Sequence, residues 1–147
     1  MKRILVCLDF TEISSSVVEE ACSFAVKTGA ALKLIYVSPY RGKASSHVVA
    51  NQKDDISLKM IKENKKMEKF EHICKDKGAE VDTSILSGGV SEAICKSARE
   101  FDPNFVIIGS HTTNAATHMI KGSVGADLLK KLKIPVLLVP CRTCSED

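Results

Sequence analysis

The stretch Phe105–Val139 reads FVIIGSHTTNAATHMIKGSVGADLLKKLKIPVLLV. A short apolar run, Phe105–Ile108, passes into Gly109 and then into a polar loop. The loop ends at Gly122-Ser123. An amphipathic helix follows, with Val124, Leu128 and Leu132 on one face, and Val136–Val139 closes the stretch as a second apolar strand after Pro135. Strand, loop, glycine, helix, strand is a βαβ unit. The first N–H groups of a helix have no partner within it, and the helix dipole adds partial positive charge at the same end. Phosphate oxygens suit both features. Gly122 permits close approach to the backbone, and Ser123 adds a hydroxyl. On spacing alone, the same pair reads first as an ordinary loop end with a serine N-cap.

Working outward, the pattern repeats. Ile4–Leu8 is apolar without alternation, as a parallel strand buried on both faces should be. Asp9 stands at its carboxyl end, where ligands bind in open α/β sheets. It is a candidate contact for a ribose hydroxyl or an adenine amine, and equally a cap for the next turn. Thr11–Ser16 leads into a helix carrying Val17, Ala21 and Ala25 on one stripe, with Val18 and Cys22 beside it. Ser16 and Glu19 have capping-box spacing, and Gly29 ends the helix. Ala31–Val37 is the second strand. Residues 38–53 read as a long mobile surface loop. From Asp54 to Lys77 a helix places Ile56, Met60, Met67, Phe70 and Cys74 at helical spacing, with a solvated lysine-rich face opposite. Val81–Leu86 is the third strand, and Val90, Ile94, Ala98 and Phe101 mark a helix broken by Asp102-Pro103. Strands alternating with helices imply a parallel sheet covered on both faces.

A chain of 147 residues fits one domain, 1–147, with 140–147 as a tail. Apolar residues make up 44% and charged residues 27%, ordinary values for a globular protein. The balance of 21 basic against 18 acidic residues is too even to point to nucleic acid or an acidic membrane as a partner. Aromatics at 5%, with no Trp, argue against base-stacking platforms for single strands. No apolar run reaches a secretory core or the ~18 residues of a membrane span. The reading is therefore a cytoplasmic protein.

Of the six cysteines, Cys7 falls in a buried strand, and Cys22, Cys74 and Cys95 fall on or beside apolar helix faces. All four read as free thiols acting as small hydrophobes. Cys141 and Cys144 form a C-x-x-C in the tail. Neither a helix N-terminus to activate it nor further zinc ligands accompany it. His111 and His118, without nearby acids or cysteines, make a poor metal set. Lys121 reads as solvent-exposed or as a phosphate contact. No metal site is expected.

Ser87-Gly88-Gly89-Val90-Ser91 resembles the pyrophosphate loop of ATP pyrophosphatases. Ser91 stands at that motif's aspartate, however, and the loop follows the third strand rather than the first, so a structural turn is expected. A broader resemblance covers Arg3 to Val139. Gly109-Ser110-His111, nine residues between Thr112 and Gly122, Gly122-Ser123 and Ile134–Val139 together resemble the C-terminal signature of the universal stress protein family. Ile4–Thr11 resembles its first strand and aspartate. Thr112 replaces the second glycine of the ATP-binding subgroup.

The resemblance implies a strand order of 3-2-1-4-5 in an open five-stranded parallel sheet of the adenine-nucleotide α-hydrolase type. It also implies a nucleotide site, with Asp9 and Val37 at the nucleoside and Gly109, Gly122 and Ser123 at the phosphates. Leu8, Ile108, Thr112 and Val124 complete that site. The implied ligand is ATP, or AMP or ADP, with Mg²⁺ as counter-ion. The implied partner is a second copy joined through the last strand. No general base or P-loop lysine stands near the phosphate loop, so at most slow ATP hydrolysis is expected. The alternatives are a dimeric stress protein that binds no nucleotide, which Thr112 favours if its position needs φ > 0, and an adenylating enzyme resting on Ser87–Ser91.

Overall fold

A computed structural model of the chain describes residues 2–41, 50–110 and 123–140, with the backbone alone at 50–54, 110 and 123–127. Among the described residues five strands alternate with four helices: β1 (Arg3–Leu8), α1 (Ser14–Thr28), β2 (Ala31–Val37), α2 (Ala50–Asp76), β3 (Glu80–Leu86), α3 (Val90–Phe101), β4 (Phe105–Ser110), α4 (Ser123–Leu132) and β5 (Val136–Pro140). All neighbouring strands pair in parallel, in the order β3-β2-β1-β4-β5. The fold is the expected open α/β sheet.

Strand alternation divides the core in two. Ile4, Val6, Leu34 and Ile107 face α1 and α2, together with Val17, Val18, Ala21, Met67 and Phe70. Leu5, Cys7, Ile35, Val106 and Ile108 face the other way, against Ile94 and Cys95 of α3 and Leu128 and Leu132 of α4. The apolar stripe expected for α1 is buried along its length. Gly29 takes the left-handed conformation at φ 73° and returns its N–H to Ala25, the C-terminal stop its position predicts.

Three details differ from the sequence reading. Helix α2 begins at Ala50 rather than Asp54, so the last residues of the expected 38–53 loop are helical. Ala50-Asn51-Gln52-Lys53 contains no breaker, and Ala, Gln and Lys are good helix formers. The helix therefore extends back ahead of its first buried residue. The Ser16–Glu19 capping box is not used, because α1 starts at Ser14 with Ile13 at the cap and no side-chain cap bond. Finally, Cys22 and Cys74 are not free thiols but a disulfide joining α1 to α2, with Cα atoms 5.6 Å apart. Each cysteine sits on its helix's inner stripe, and the stripes face each other. Cys7 and Cys95 are free and buried, as expected. No helix among the described residues is long and apolar enough to cross a membrane.

Candidate functional site

The carboxyl ends of β1 and β2 frame a cavity of about 370 Å³. Its upper wall is Leu8, Asp9, Tyr36, Val37 and Pro39, and its floor is Cys7, Ile35 and two α3 residues, Val90 and Ile94. Register explains the convergence. Leu8 pairs with Tyr36 and Cys7 with Ile35, so both strands end together and their last residues overhang one space. Val90 is 39% exposed although it is a large apolar residue at a helix start, and the cavity accounts for it.

The turn after β1 is built by Asp9. Its Oδ1 accepts the Thr11 N–H at 3.0 Å, the Thr11 hydroxyl at 2.7 Å and the Ser14 hydroxyl at 3.2 Å. This is an Asx-type turn feeding the first turn of α1. Both sequence readings of Asp9 therefore meet in one side chain, which caps the turn and lines the cavity. Phe10 takes the left-handed conformation at φ 58°, a strained choice for a bulky residue. Its ring stacks on Tyr36 with centroids 3.8 Å apart and meets Phe70 at 6.0 Å, contacts that hold it there.

Behind Tyr36 lies a buried polar cluster. Glu63, 5% exposed, accepts the Ser38 hydroxyl at 2.7 and 2.8 Å. Arg41 Nε lies 3.7 Å from the same carboxylate, and Arg41 Nη2 donates to Asn64 Oδ1 at 2.6 Å. Together these bonds pin α2 to the end of β2. Burial, then the charge of Glu63 and its hydrogen bond, push the Tyr36 phenol up to about 12. Burial, reinforced by Cys95, pushes the Cys7 thiol up to about 12. At neutral pH Cys7 is therefore a protonated piece of apolar wall and not a nucleophile.

The structure brings Leu8, Asp9 and Val37 together at this cavity. Ile108 is buried beside it, paired with Cys7 in the sheet. Gly109 faces the opposite side of the sheet. A Cβ there would lie 3.0 Å from Val17 Cγ2 and 3.1 Å from Ile13 Cγ2. Helix α4 starts at Ser123, the residue expected to start it, and Val124 follows in its first turn. Because α4 lies between the parallel strands β4 and β5 and must run back to the start of β5, it begins on the carboxyl side of the sheet, the same side as Asp9. Thr112, Gly122, His111, His118, Lys121, Cys141 and Cys144 lie outside the described residues. Ser87-Gly88-Gly89 is the expected turn, with Gly88 at φ 97° and Gly89 as the N-cap of α3.

Sequence reasoning did not assign Tyr36, Pro39, Val90 or Ile94 to the site. Val90 and Ile94 were legible only as a helix stripe, and nothing in their spacing distinguishes a stripe that meets the sheet from one that leaves room. Among the described residues no cluster of His, Cys, Asp and Glu could hold a metal ion.

An open parallel sheet with a cleft at its carboxyl edge defines a class of small ligand-binding α/β domains. Within that class, the family model described as "Universal stress protein family" matches residues 1–140, and the chain belongs to that family. It is 26% identical to Universal stress protein MJ0577 of Methanocaldococcus jannaschii, covering 94% of each chain. The solved structure of MJ0577 superposes with a TM-score of 0.74 over 97% of this chain and 98% of that one. Two further structures share the fold at lower identity. A universal stress protein from Archaeoglobus fulgidus in complex with dAMP has a TM-score of 0.66 at 18% identity, covering 94% of this chain and 97% of that one. A family member from Arabidopsis thaliana with AMP bound has a TM-score of 0.63 at 17% identity, covering 97% and 94%.

Proposed function

We propose that this chain is a cytoplasmic, adenine-nucleotide-binding regulatory module of the stress response that takes ATP, AMP or ADP at the carboxyl edge of its sheet. The observation that carries the reading is the cavity under β1 and β2, with Asp9 and Val37 at its mouth. An apolar slot with a carboxylate at one end fits a flat base and a ribose hydroxyl. Asp9 would hold the ribose, and backbone groups at Val37 would meet the base. The start of α4 at Ser123, with Gly122 before it, would receive the phosphates, and Mg²⁺ would serve as their counter-ion. The AMP and dAMP complexes of related proteins support this reading. No catalytic residue is assigned.

Calorimetric titration of nucleotide-free protein with ATP and Mg²⁺ tests the proposal. Micromolar affinity is expected, falling at least tenfold in Gly122→Val. Asp9→Asn keeps an acceptor for the Thr11 turn and should weaken the nucleotide without unfolding the chain. Asp9→Ala should also cost about 1 kcal/mol of stability through the lost turn bonds. No heat and no thermal stabilisation up to millimolar ATP, in protein shown to carry no nucleotide, would remove the reading.

A second copy is proposed to join through β5. This is an edge strand on which Leu137 and Leu138 remain 39% and 45% exposed. An exposed apolar edge is a pairing template. Sedimentation should show a dimer at micromolar concentration, and Leu138→Lys should shift it to monomer. A parent protein that sediments as monomer at ~100 μM, far above the Kd expected of a stable dimer, would exclude this arrangement.

A further inference from the structure

A second hollow, of about 260 Å³, opens at the ends of β1 and β2 on the side of the sheet that carries α2. Phe10, Tyr36 and Tyr40 form an aromatic wall, and Lys59, Lys62 and Lys66 of α2 face it. Spacings of three and four residues put these lysines on one side of the helix. Two of the ammonium groups are folded onto the wall. Lys59 Nζ lies 4.9 Å from the centre of the Tyr40 ring, and Lys66 Nζ lies 5.8 Å from that of Phe10. The Phe10 ring is fixed in turn by its stack on Tyr36.

Charge in this hollow is unbalanced. Two carboxylates also line it, and both are engaged. Asp9 Oδ1 holds the turn through Thr11 and Ser14, and Glu63 takes the Ser38 hydroxyl beside Arg41. Lys59 meets Asp55 at 3.3 Å. Among the described residues Lys62 and Lys66 make no ion pair. Like charges gathered around one concave space raise its affinity for an anion. The ammonium group is a compact point charge with rotatable donors, so several of them suit a phosphate, whose oxygens surround one centre. A planar carboxylate is better matched by the fork of an arginine.

We propose that this hollow is a binding site for a small phosphate-bearing anion, held by Lys62 and Lys66 with Lys59 beside them. It is distinct from the phosphate end of the nucleotide reading, because α4 packs on the opposite face of the sheet. The inference does not depend on that reading.

Pyrophosphate is the probe, titrated into the nucleotide-free full-length chain at constant ionic strength. The chain has two tyrosines and no Trp, and both tyrosines line the hollow, so tyrosine emission reports on it without a label. A saturable change is expected, with the same Kd by calorimetry. Lys62→Gln combined with Lys66→Gln should weaken binding at least tenfold. Lys65→Gln combined with Lys69→Gln removes the same charge from exposed positions of α2 that do not line the hollow, and should change it less than twofold. Citrate, of about the same charge near neutral pH, should bind at least tenfold more weakly than pyrophosphate. Equal losses in the two double variants would show a general attraction to the lysines of α2 and overturn the site. Binding lost in Gly122→Val but kept in the Lys62, Lys66 variant would place the anion at α4 and overturn it too. Equal affinity for citrate removes the phosphate assignment. No saturable change up to ~10 mM, or heat without a change in tyrosine emission, overturns the proposal outright.

Discussion

Loss of the Cys22–Cys74 bridge is expected to lower the free energy of unfolding by about 4 kcal/mol, the largest single effect expected here. The bridge spans 52 positions of sequence, and closing a loop of that length removes about this much chain entropy from the unfolded state. That loop contains β2, the Ser38–Glu63–Arg41 cluster and most of α2, the elements that form one side of the cleft. The double variant Cys22→Ala, Cys74→Ala should therefore melt roughly 10 °C lower than the oxidised parent, given ~2–4 °C per kcal/mol for a domain of this size. The cavity that two missing sulfurs leave in a fully buried site would add to that loss. Adding reductant to the parent separates the two contributions, since it opens the bridge and keeps the atoms. Urea unfolding with and without reductant, together with a non-reduced peptide digest, is the check. Coincident curves and no linked peptide containing Cys22 and Cys74 would show that the two sulfurs are simply packed.

That bridge also marks where the sequence stops being informative. Periodicity placed Cys22 and Cys74 on the inner faces of two helices, and both are inside. Periodicity carries no information about which inner face meets which, so the pairing was not legible. The same limit applies to the cleft. Continuous apolar runs at Ile4–Leu8 and Phe105–Ile108 announced buried parallel strands, because only a strand covered on both faces tolerates them. Asp9 was legible because a carboxylate that ends such a run is out of pattern. Tyr36, Val90 and Ile94 fit the pattern, so their place in the cavity wall appears only when α3 is laid against β1 and β2. Arg41 lay in a polar stretch read as surface loop. Its buried Nε comes from Glu63, more than twenty positions away on another element.

Gly109 raises the sharpest conflict between motif and geometry, and Gly109→Val decides it. As the first glycine of a nucleotide signature, Gly109 should be there so that phosphates can approach. In the fold its vacant Cβ position points at α1, where Val17 Cγ2 and two Ile13 methyl carbons lie 3.0, 3.1 and 3.3 Å away. Ile13 and Val17 are 2% and 1% exposed and have nowhere to retreat. A glycine at this point of β4 therefore lets the first turn of α1 close onto the sheet, and with it the Asp9 turn that frames the cleft. Valine should cost about 1–3 kcal/mol by overpacking, less up to ~1 kcal/mol returned by its better strand propensity. The loss should appear in nucleotide-free protein as a lower urea midpoint with an unchanged slope. Adding Val17→Ala should recover part of it, since the two positions share one space and their effects cannot be additive. Alanine at 109 should be nearly tolerated, because its single methyl needs its neighbours to give only a few tenths of an ångström. A Gly109→Val protein as stable as the parent, yet unable to bind nucleotide, would return this glycine to the phosphates. An unstable one that regains stability with Val17→Ala would mean that the glycine first serves the packing of α1 against β4, and the cleft through it.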